Sequence, residues 1–352
     1  GTVAGALDIR STHRWRRVMT RAVVTGGAGF IGSHLCEALL IQGVQVTCVD
    51  DLSSGSSDNV AHLLAVPGFA FVPGDVVDPA LWQRLPAAQR VFHLASPASP
   101  VDYQAAPVQT IRTNVVGTLN ALGFARTHHA RVLLTSTSEV YGDPAVHPQT
   151  EDYWGHVNPV GPRSCYDEGK RCAEALMMAH ARQHGTQVRV ARLFNTYGPR
   201  LRPDDGRVVN TFIACALRGE PLPLHGDGQQ TRSFCYVSDT VRGLIALMDN
   251  EQTVGPINLG NPQEVSMRAL ADEVLRLTGS TAGVRQLPAR PEDPRCRQPD
   301  IRLARRWLDW QPEVPLRQGL IQAIEWFRAQ DALGPDRRMP QGQAMAESSA
   351  RS

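Results

Sequence analysis

Tyr166 and Lys170 stand four positions apart in Tyr166-Asp167-Glu168-Gly169-Lys170. On a helix that spacing puts both side chains on one face. A tyrosine phenol ordinarily titrates near ~10. A neighbouring ammonium favours its phenolate, which can then take a proton from a substrate hydroxyl. Upstream lies Leu134-Thr135-Ser136-Thr137-Ser138-Glu139. Thr137 can hydrogen-bond the reacting hydroxyl and hold it against Tyr166, and Glu139 brings a carboxylate to the same cleft. A tyrosine and lysine at this spacing also occur by chance on surface helices. Their weight here comes from the Thr/Ser-rich strand end and the glycine-rich turn that precede them.

That turn is Thr25-Gly26-Gly27-Ala28-Gly29-Phe30-Ile31-Gly32, between an apolar strand and a helical segment. Gly26 can make the tight turn, Gly29 lets a pyrophosphate approach the backbone, and Gly32 lets helix and strand pack closely. Phe30, Ile31 and Gly32 open the helix, whose free N–H groups and dipole favour phosphate. Asp50 follows Gly32 by eighteen residues and ends the second strand. Its carboxylate can accept from the ribose hydroxyls of adenosine and would repel a 2′-phosphate, so NAD is favoured over NADP. Asp51 can share that role. Asp75-Val76, after the third strand, is a candidate adenine contact.

These residues need a scaffold, and the hydrophobic pattern supplies one. Ala22–Thr25, Val44–Asp50, Phe69–Pro73, Arg90–Leu94, Arg131–Thr135 and Val188–Phe194 read as short apolar strands, with helical stretches between them, the first from Ile31 to about Gln42. Such alternation predicts βαβ units and a doubly wound parallel sheet of the Rossmann type, binding ligands at the carboxyl ends of its strands. After Gly198 the segments shorten and become richer in Pro, Gly and polar residues. The expectation is a dinucleotide-binding domain over 21–198 and a smaller α/β substrate lobe over 199–330, partly interleaved with it. Ala269–Thr278 and Leu316–Arg328 read as helices in the lobe. Residues 1–20 and 331–352 are expected to be a disordered leader and tail. Pro79–Ala88 is expected to be a surface loop.

The 352 residues are 42% hydrophobic and carry a formal net charge of +2. This balance argues against a dedicated nucleic-acid surface. The seven cysteines are odd in number and form no CxxC pair, so neither a disulfide framework nor a structural metal site is expected, and a reducing compartment is the simple reading. No apolar run reaches the ~18 residues that would read as a membrane span.

Longer stretches carry a family resemblance: GGAGFIGSHL at 26–35, HLASPASP at 93–100, TSTSEVYGDP at 135–144, EDYWGHVNPVGPRSCYDEGKR at 151–171, RVARLFNTYGPR at 189–200, DDGRVV at 204–209 and DPRCRQPDI at 293–301. The chain resembles the extended short-chain dehydrogenase/reductases from about Arg21 to Phe327, and within them the branch that decarboxylates UDP-glucuronate. The resemblance implies a tightly held NAD, Tyr166 as base with Lys170 as its partner, and Thr137 orienting the sugar 4-hydroxyl. It implies Asn195 and Arg232 as contacts for the sugar phosphate and the UDP diphosphate. Arg297 is the expected arginine of the sugar site, with Arg290 and Arg295 close enough in sequence to be confused with it. Related 4,6-dehydratases carry Asp-Glu where this chain has Ser138-Glu139, so their acid for the departing hydroxyl is missing and Ser138 becomes a substrate contact.

The implied reaction takes UDP-glucuronate to UDP-xylose and carbon dioxide, in a soluble cytoplasmic homodimer paired through helices near Gly117–Thr127 and Cys165–Gln183. Two other readings remain at this point. A 4-epimerase acting on a UDP-sugar or UDP-uronic acid shares the first step, and a non-catalytic NAD-binding protein shares only the cofactor fold.

Overall fold

The computed structural model describes residues 19–203, 205–288 and 297–332. Six strands fall where the pattern puts them, within a residue or two at the ends: β1 (Arg21–Thr25), β2 (Gln45–Asp50), β3 (Phe69–Pro73), β4 (Arg90–His93), β5 (Arg131–Thr137) and β6 (Val188–Leu193). The second half adds β7 (Thr196–Tyr197), β8 (Leu222–His225), β9 (Thr231–Ser233), β10 (Cys235–Tyr236), β11 (Ile257–Leu259), β12 (Glu264–Ser266) and β13 (Val284–Leu287). Of these, β11 joins the central sheet, giving the order β11-β6-β5-β4-β1-β2-β3 with every pairing parallel. The order reverses between β1 and β4, and a ligand crevice opens there at the carboxyl ends of the strands.

Both faces of the sheet are covered, so its strands are apolar on both sides. Side chains alternate between the two cores. Ala22 and Val24 enter one and Val23 the other; Leu133 enters the first, Val132 and Leu134 the second. The first core packs α1 (Phe30–Ile41) and, further on, α8 (Val237–Asp249). The second packs α2 (Pro79–Arg84), α5 (Thr118–His128) and α6 (Ser164–His184). Before α5 come α3 (Pro100–Ala105), α4 (Pro107–Arg112) and a π-helical turn at Thr113–Gly117.

The helix α2 corrects one expectation. Pro79–Ala88 is not a surface loop: Asp78 caps the helix by accepting from the Ala80 amide at 2.9 Å, with Pro79 in its first turn. Leu81 and Trp82 are buried, and the Trp82 indole donates to the Val76 carbonyl at 2.9 Å. A helix of six residues shows no periodicity to read, although its Asp-Pro start is a legible cap.

The remaining elements form a smaller layer around α7 (Val208–Leu217), α9 (Met267–Thr278), α10 (Arg302–Leu308) and α11 (Leu316–Ala332). There β8 pairs with β13 in parallel and β9 with β12 antiparallel. Trp310, fully buried, donates to the Asp239 carbonyl at 2.9 Å and fastens this layer to α8. Among the described residues six cysteines are free, no group of three or more His, Cys, Asp or Glu is arranged to hold a metal ion, and no helix is long and apolar enough to cross a membrane. Arg290, Arg295 and Cys296 lie outside the described residues, as do 1–18 and 333–352.

Candidate active site

One cleft runs along the carboxyl ends of the sheet and encloses about 370 Å³, within the roughly 300–1,000 Å³ of sites that hold a cofactor or a drug-sized ligand. The glycine turn forms one end. Gly26 has φ +67°, and a Cβ there would sit 2.8 Å from the Ala95 amide nitrogen. A Cβ on Gly32 would lie 2.1 Å from the Gly26 carbonyl oxygen, so turn and helix can pack this closely only without one. Gly29 is the N-cap of α1 and no side chain caps it. Gly29, Phe30, Ile31 and Gly32 line the cleft; the Gly29 amide donates to the Gly26 carbonyl at 3.1 Å, and the amides of the first turn, from Phe30 on, face phosphate.

Asp50 is 7% exposed and also lines the cleft. Its Oδ2 accepts from the Ala28 amide at 2.9 Å and its Oδ1 from the Leu52 amide at 2.8 Å. Burial pushes its carboxyl up, against the pull of those amides. Each oxygen keeps a further lone pair for ribose hydroxyls. Asp51 is exposed, and its Oδ1 accepts from the Ser53 amide and hydroxyl at 2.9 and 2.6 Å. Asp75 accepts from the Val77 amide at 2.9 Å and from the Gln109 side chain at 3.1 Å. Val76 beside it is buried, and both residues line the cleft. An uncapped helix start, a close-packed glycine turn and a carboxylate at the tip of β2 together fit a dinucleotide with free ribose hydroxyls.

At the other end, Thr137, Ser138, Glu139, Tyr166, Lys170 and Asn195 line the same cleft. The strand β5 carries Thr137 to its tip, and α6 presents Tyr166 and Lys170 one turn apart. The Thr137 hydroxyl accepts from the Glu139 amide at 3.2 Å and lies near enough to the Tyr166 phenol to act on its titration. Burial pushes that phenol up to about 12, while the Thr137 hydroxyl and the Arg207 guanidinium pull it down. The Lys170 ammonium donates to the Thr135 carbonyl at 2.8 Å, and burial pushes its pKa down to about 7 against the charge of Glu174. Burial therefore dominates both groups, more than the spacing of Tyr166 and Lys170 implies.

Glu139 sits among cations. It pairs with Arg163 and lies 3.5 Å from Arg297 Nη1. Burial alone would raise its carboxyl, but the charges of Arg297 and Arg163 outweigh it and hold Glu139 below the usual range. Arg297 is 3% exposed and does not line the cleft; it donates to the carbonyls of Ser138 and Gly142 and braces Glu139 from behind. Arg232, on β9, donates to the Thr231 carbonyl at 2.7 Å and also stands back from the lining, near enough for its charge to act on Glu139. Asn195 presents its side chain to the cleft while its carbonyl accepts from the Cys235 amide at 2.8 Å.

Among the lining residues that sequence reasoning missed, three act on the catalytic groups. Tyr103 stacks on Tyr166, with ring centroids 5.0 Å apart and planes 4° from parallel. Arg163 holds Glu139, and Arg207 acts on Tyr166. Arg163 and Arg207 lie inside quoted stretches, three residues before Tyr166 and within DDGRVV. Tyr103 follows HLASPASP, and nothing in its spacing marks it.

A family model described as the NAD dependent epimerase/dehydratase family matches residues 22–260. This chain belongs to that family. It is 54% identical over 309 residues to UDP-glucuronic acid decarboxylase 6 of Arabidopsis thaliana, covering 88% of this chain and 89% of that one. In structure this epimerase/dehydratase is similar to the UDP-glucose 4-epimerase of Thermotoga maritima with UDP-glucose, with a TM-score of 0.81 and 31% identity over 88% of this chain and 99% of that one. It is also similar to the UDP-glucuronic acid 4-epimerase of Bacillus cereus in complex with UDP-glucuronic acid and NAD, at 0.79 and 28% over 88% and 100%. The family is NAD dependent, in keeping with the cleft just described. The resemblance read from the sequence stretches is borne out, and so is the Rossmann-type parallel sheet.

Proposed function

We propose that this epimerase/dehydratase decarboxylates UDP-glucuronate to UDP-xylose and carbon dioxide. The observation that carries the reading is its 54% identity, along nearly the whole of both chains, to a UDP-glucuronic acid decarboxylase, against 31% and 28% to the epimerases of the same fold. When bound, NAD supplies a hydride acceptor and then a hydride donor at sugar C4. Gly29, Phe30, Ile31 and Gly32 hold its diphosphate, Asp50 and Asp51 its ribose, and Asp75 and Val76 its adenine.

Tyr166 takes the proton of the sugar 4-hydroxyl, which Thr137 positions against the phenol. The phenol stands above its usual range, so it needs positive charge nearby in order to act as a base. Arg207 supplies charge at the phenol, and Lys170, one turn away on the same helix, adds to it when protonated. The oxidised sugar has its C5 carboxylate β to a ketone, so carbon dioxide can leave to an enolate. Hydrogen-bond donors aimed at such a developing oxyanion are each worth ~10²–10³ in rate. Glu139 is held anionic by Arg163 and Arg297, and presses on the substrate carboxylate in favour of its loss. In that state Glu139 is no proton donor, which leaves a water or a cationic group to protonate C5. Ser138 and Asn195 contact the sugar, and Arg232 and Arg297 act from behind the cleft wall. We further propose a homodimer paired through α4–α5 and α6; exposed Val108, Ile111 and Leu119 support that face.

The test is to incubate the purified chain with UDP-glucuronate, without and with added NAD, and to follow carbon dioxide and the mass of the nucleotide sugar. A UDP-pentose with carbon dioxide is expected. A UDP-hexuronic acid of unchanged mass and altered configuration would make the chain an epimerase. No change with NAD bound would remove the substrate.

A further inference from the structure

Away from the catalytic groups, a second cluster sits on the outer wall of the cofactor end. Arg200 Nη2 donates to Glu37 Oε2 on α1 at 2.6 Å and lies 3.4 Å from His62 Nε2. His62 is itself 3.5 Å from the same carboxylate oxygen. One residue earlier, the His34 ring donates to the Pro199 carbonyl at 3.0 Å. These contacts pin together three segments remote in sequence. The first is α1, which starts at the phosphate turn. The second is the connection after β2, whose Ser53, Ser54, Gly55 and Asn59 line the cleft. The third is the segment after β7, which runs on through Arg202 to Arg207 at the sugar end.

The arrangement is a demanding one. Arg200 has φ +69°, a conformation that a non-glycine residue keeps only where its surroundings impose it. Its side chain is 17% exposed and lines the cleft, and its Nη1 has no hydrogen-bond partner among the described residues. Burial would raise Glu37, but the hydrogen bond and charge of Arg200 prevail, and Glu37 stays anionic. No step of the proposed chemistry uses these groups.

We infer that Arg200, held by Glu37 and His62, is a cofactor-positioning residue: a clasp that joins the phosphate-turn helix to the opposite wall and slows the release of NAD. Arg200 lines the same cleft as Asp50 and Asn59, so an NAD seated there would lie against this clasp. The inference concerns the cofactor alone and stands whichever nucleotide sugar is turned over.

The test uses the full chain loaded with NADH, whose fluorescence is followed after dilution into excess NAD. Glu37→Gln keeps the shape and removes the charge. It is expected to speed NADH release about tenfold, the effect of losing one charge-assisted hydrogen bond. The melting temperature of the apoprotein and the affinity for UDP should stay as in the parent chain. His62→Gln is expected to give a smaller increase of about twofold, and reads the same clasp if Glu37→Gln does not fold. Arg200→Lys keeps the charge but not the planar guanidinium that reaches both Glu37 and His62, and should fall between the parent and Glu37→Gln. Parent-like NADH release in Glu37→Gln and His62→Gln would overturn the inference. So would faster release matched by an equal loss of UDP affinity and of melting temperature, because that pattern marks general loosening of the fold.

Discussion

Lys170 is a residue the fold holds at a loss, and replacing it should stabilise the protein. Its ammonium is 3% exposed and burial carries its pKa from 10.5 to about 7. At ~1.4 kcal/mol per pH unit, that displacement corresponds to roughly 5 kcal/mol for keeping the charge in the interior below neutral pH. Lys170→Met removes the charge and keeps the stem. It also deprives the Thr135 carbonyl of a charged donor, which returns about 1.5–3 kcal/mol. The expected net effect is an apoprotein about 2–3 kcal/mol more stable than the parent at pH 6.5, with decarboxylation lost. The folded pKa lies below the unfolded one, so between about pH 7 and 10.5 the unfolded chain binds the extra proton. The parent therefore gains stability as pH rises through that window, and the advantage of Lys170→Met shrinks with it. Urea denaturation of both apoproteins at pH 6.5 and 9.5 reads this directly. A Lys170→Met variant less stable than its parent at pH 6.5, or an advantage that does not change with pH, would refute the reasoning.

The site and its scaffold make four other predictions. Gly32→Ala forces a Cβ to within 2.1 Å of the Gly26 carbonyl oxygen, so it should destabilise the apoprotein by about 1–3 kcal/mol as overpacking does and abolish NAD binding; calorimetric titration with NAD and a denaturant midpoint check both. Gly29→Ala should separate the two effects. Gly29 has φ −74° and ψ 178° and its added Cβ meets only the Gly26 oxygen, at 3.1 Å, so stability should change by less than ~1 kcal/mol while NAD affinity falls. Glu139→Gln should lower turnover about a hundredfold, in the range of losing one preorganised electrostatic group, with UDP affinity nearly unchanged; equal losses in both would sink the role given to Glu139. Trp82→Ala empties a buried site beside Val76 and should cost about 3–5 kcal/mol in a denaturant series; a change of less than 1 kcal/mol would mean that α2 is not part of the core.

Much of the site was legible because its chemistry is local. The glycine turn, Asp50 at a strand tip, Thr137-Ser138-Glu139 at another, and Tyr166 with Lys170 each lie within one element and its flank, and strand or helix periodicity is enough to orient them. The central strands were equally plain, since a sheet buried on both faces leaves continuous apolar runs. The short helix α2 was not, because six residues carry too little periodicity to oppose a loop reading.

The rest depended on pairs that no local pattern encodes. The sequence by itself determined the strand–turn–helix that can take a dinucleotide, its preference for NAD, and which tyrosine, lysine, threonine and glutamate are proposed for the chemistry. Tertiary structure decided that β11, some sixty residues after β6, completes the sheet. It decided that Tyr103 stacks on Tyr166, and that Arg297 stands behind Glu139 instead of lining the cleft. It also brought Arg200 onto Glu37, 163 residues away. The physical reason is that burial and opposing charges shift the titration of Tyr166, Lys170 and Glu139 more strongly than their sequence neighbours do, and burial exists only once the distant segments have packed.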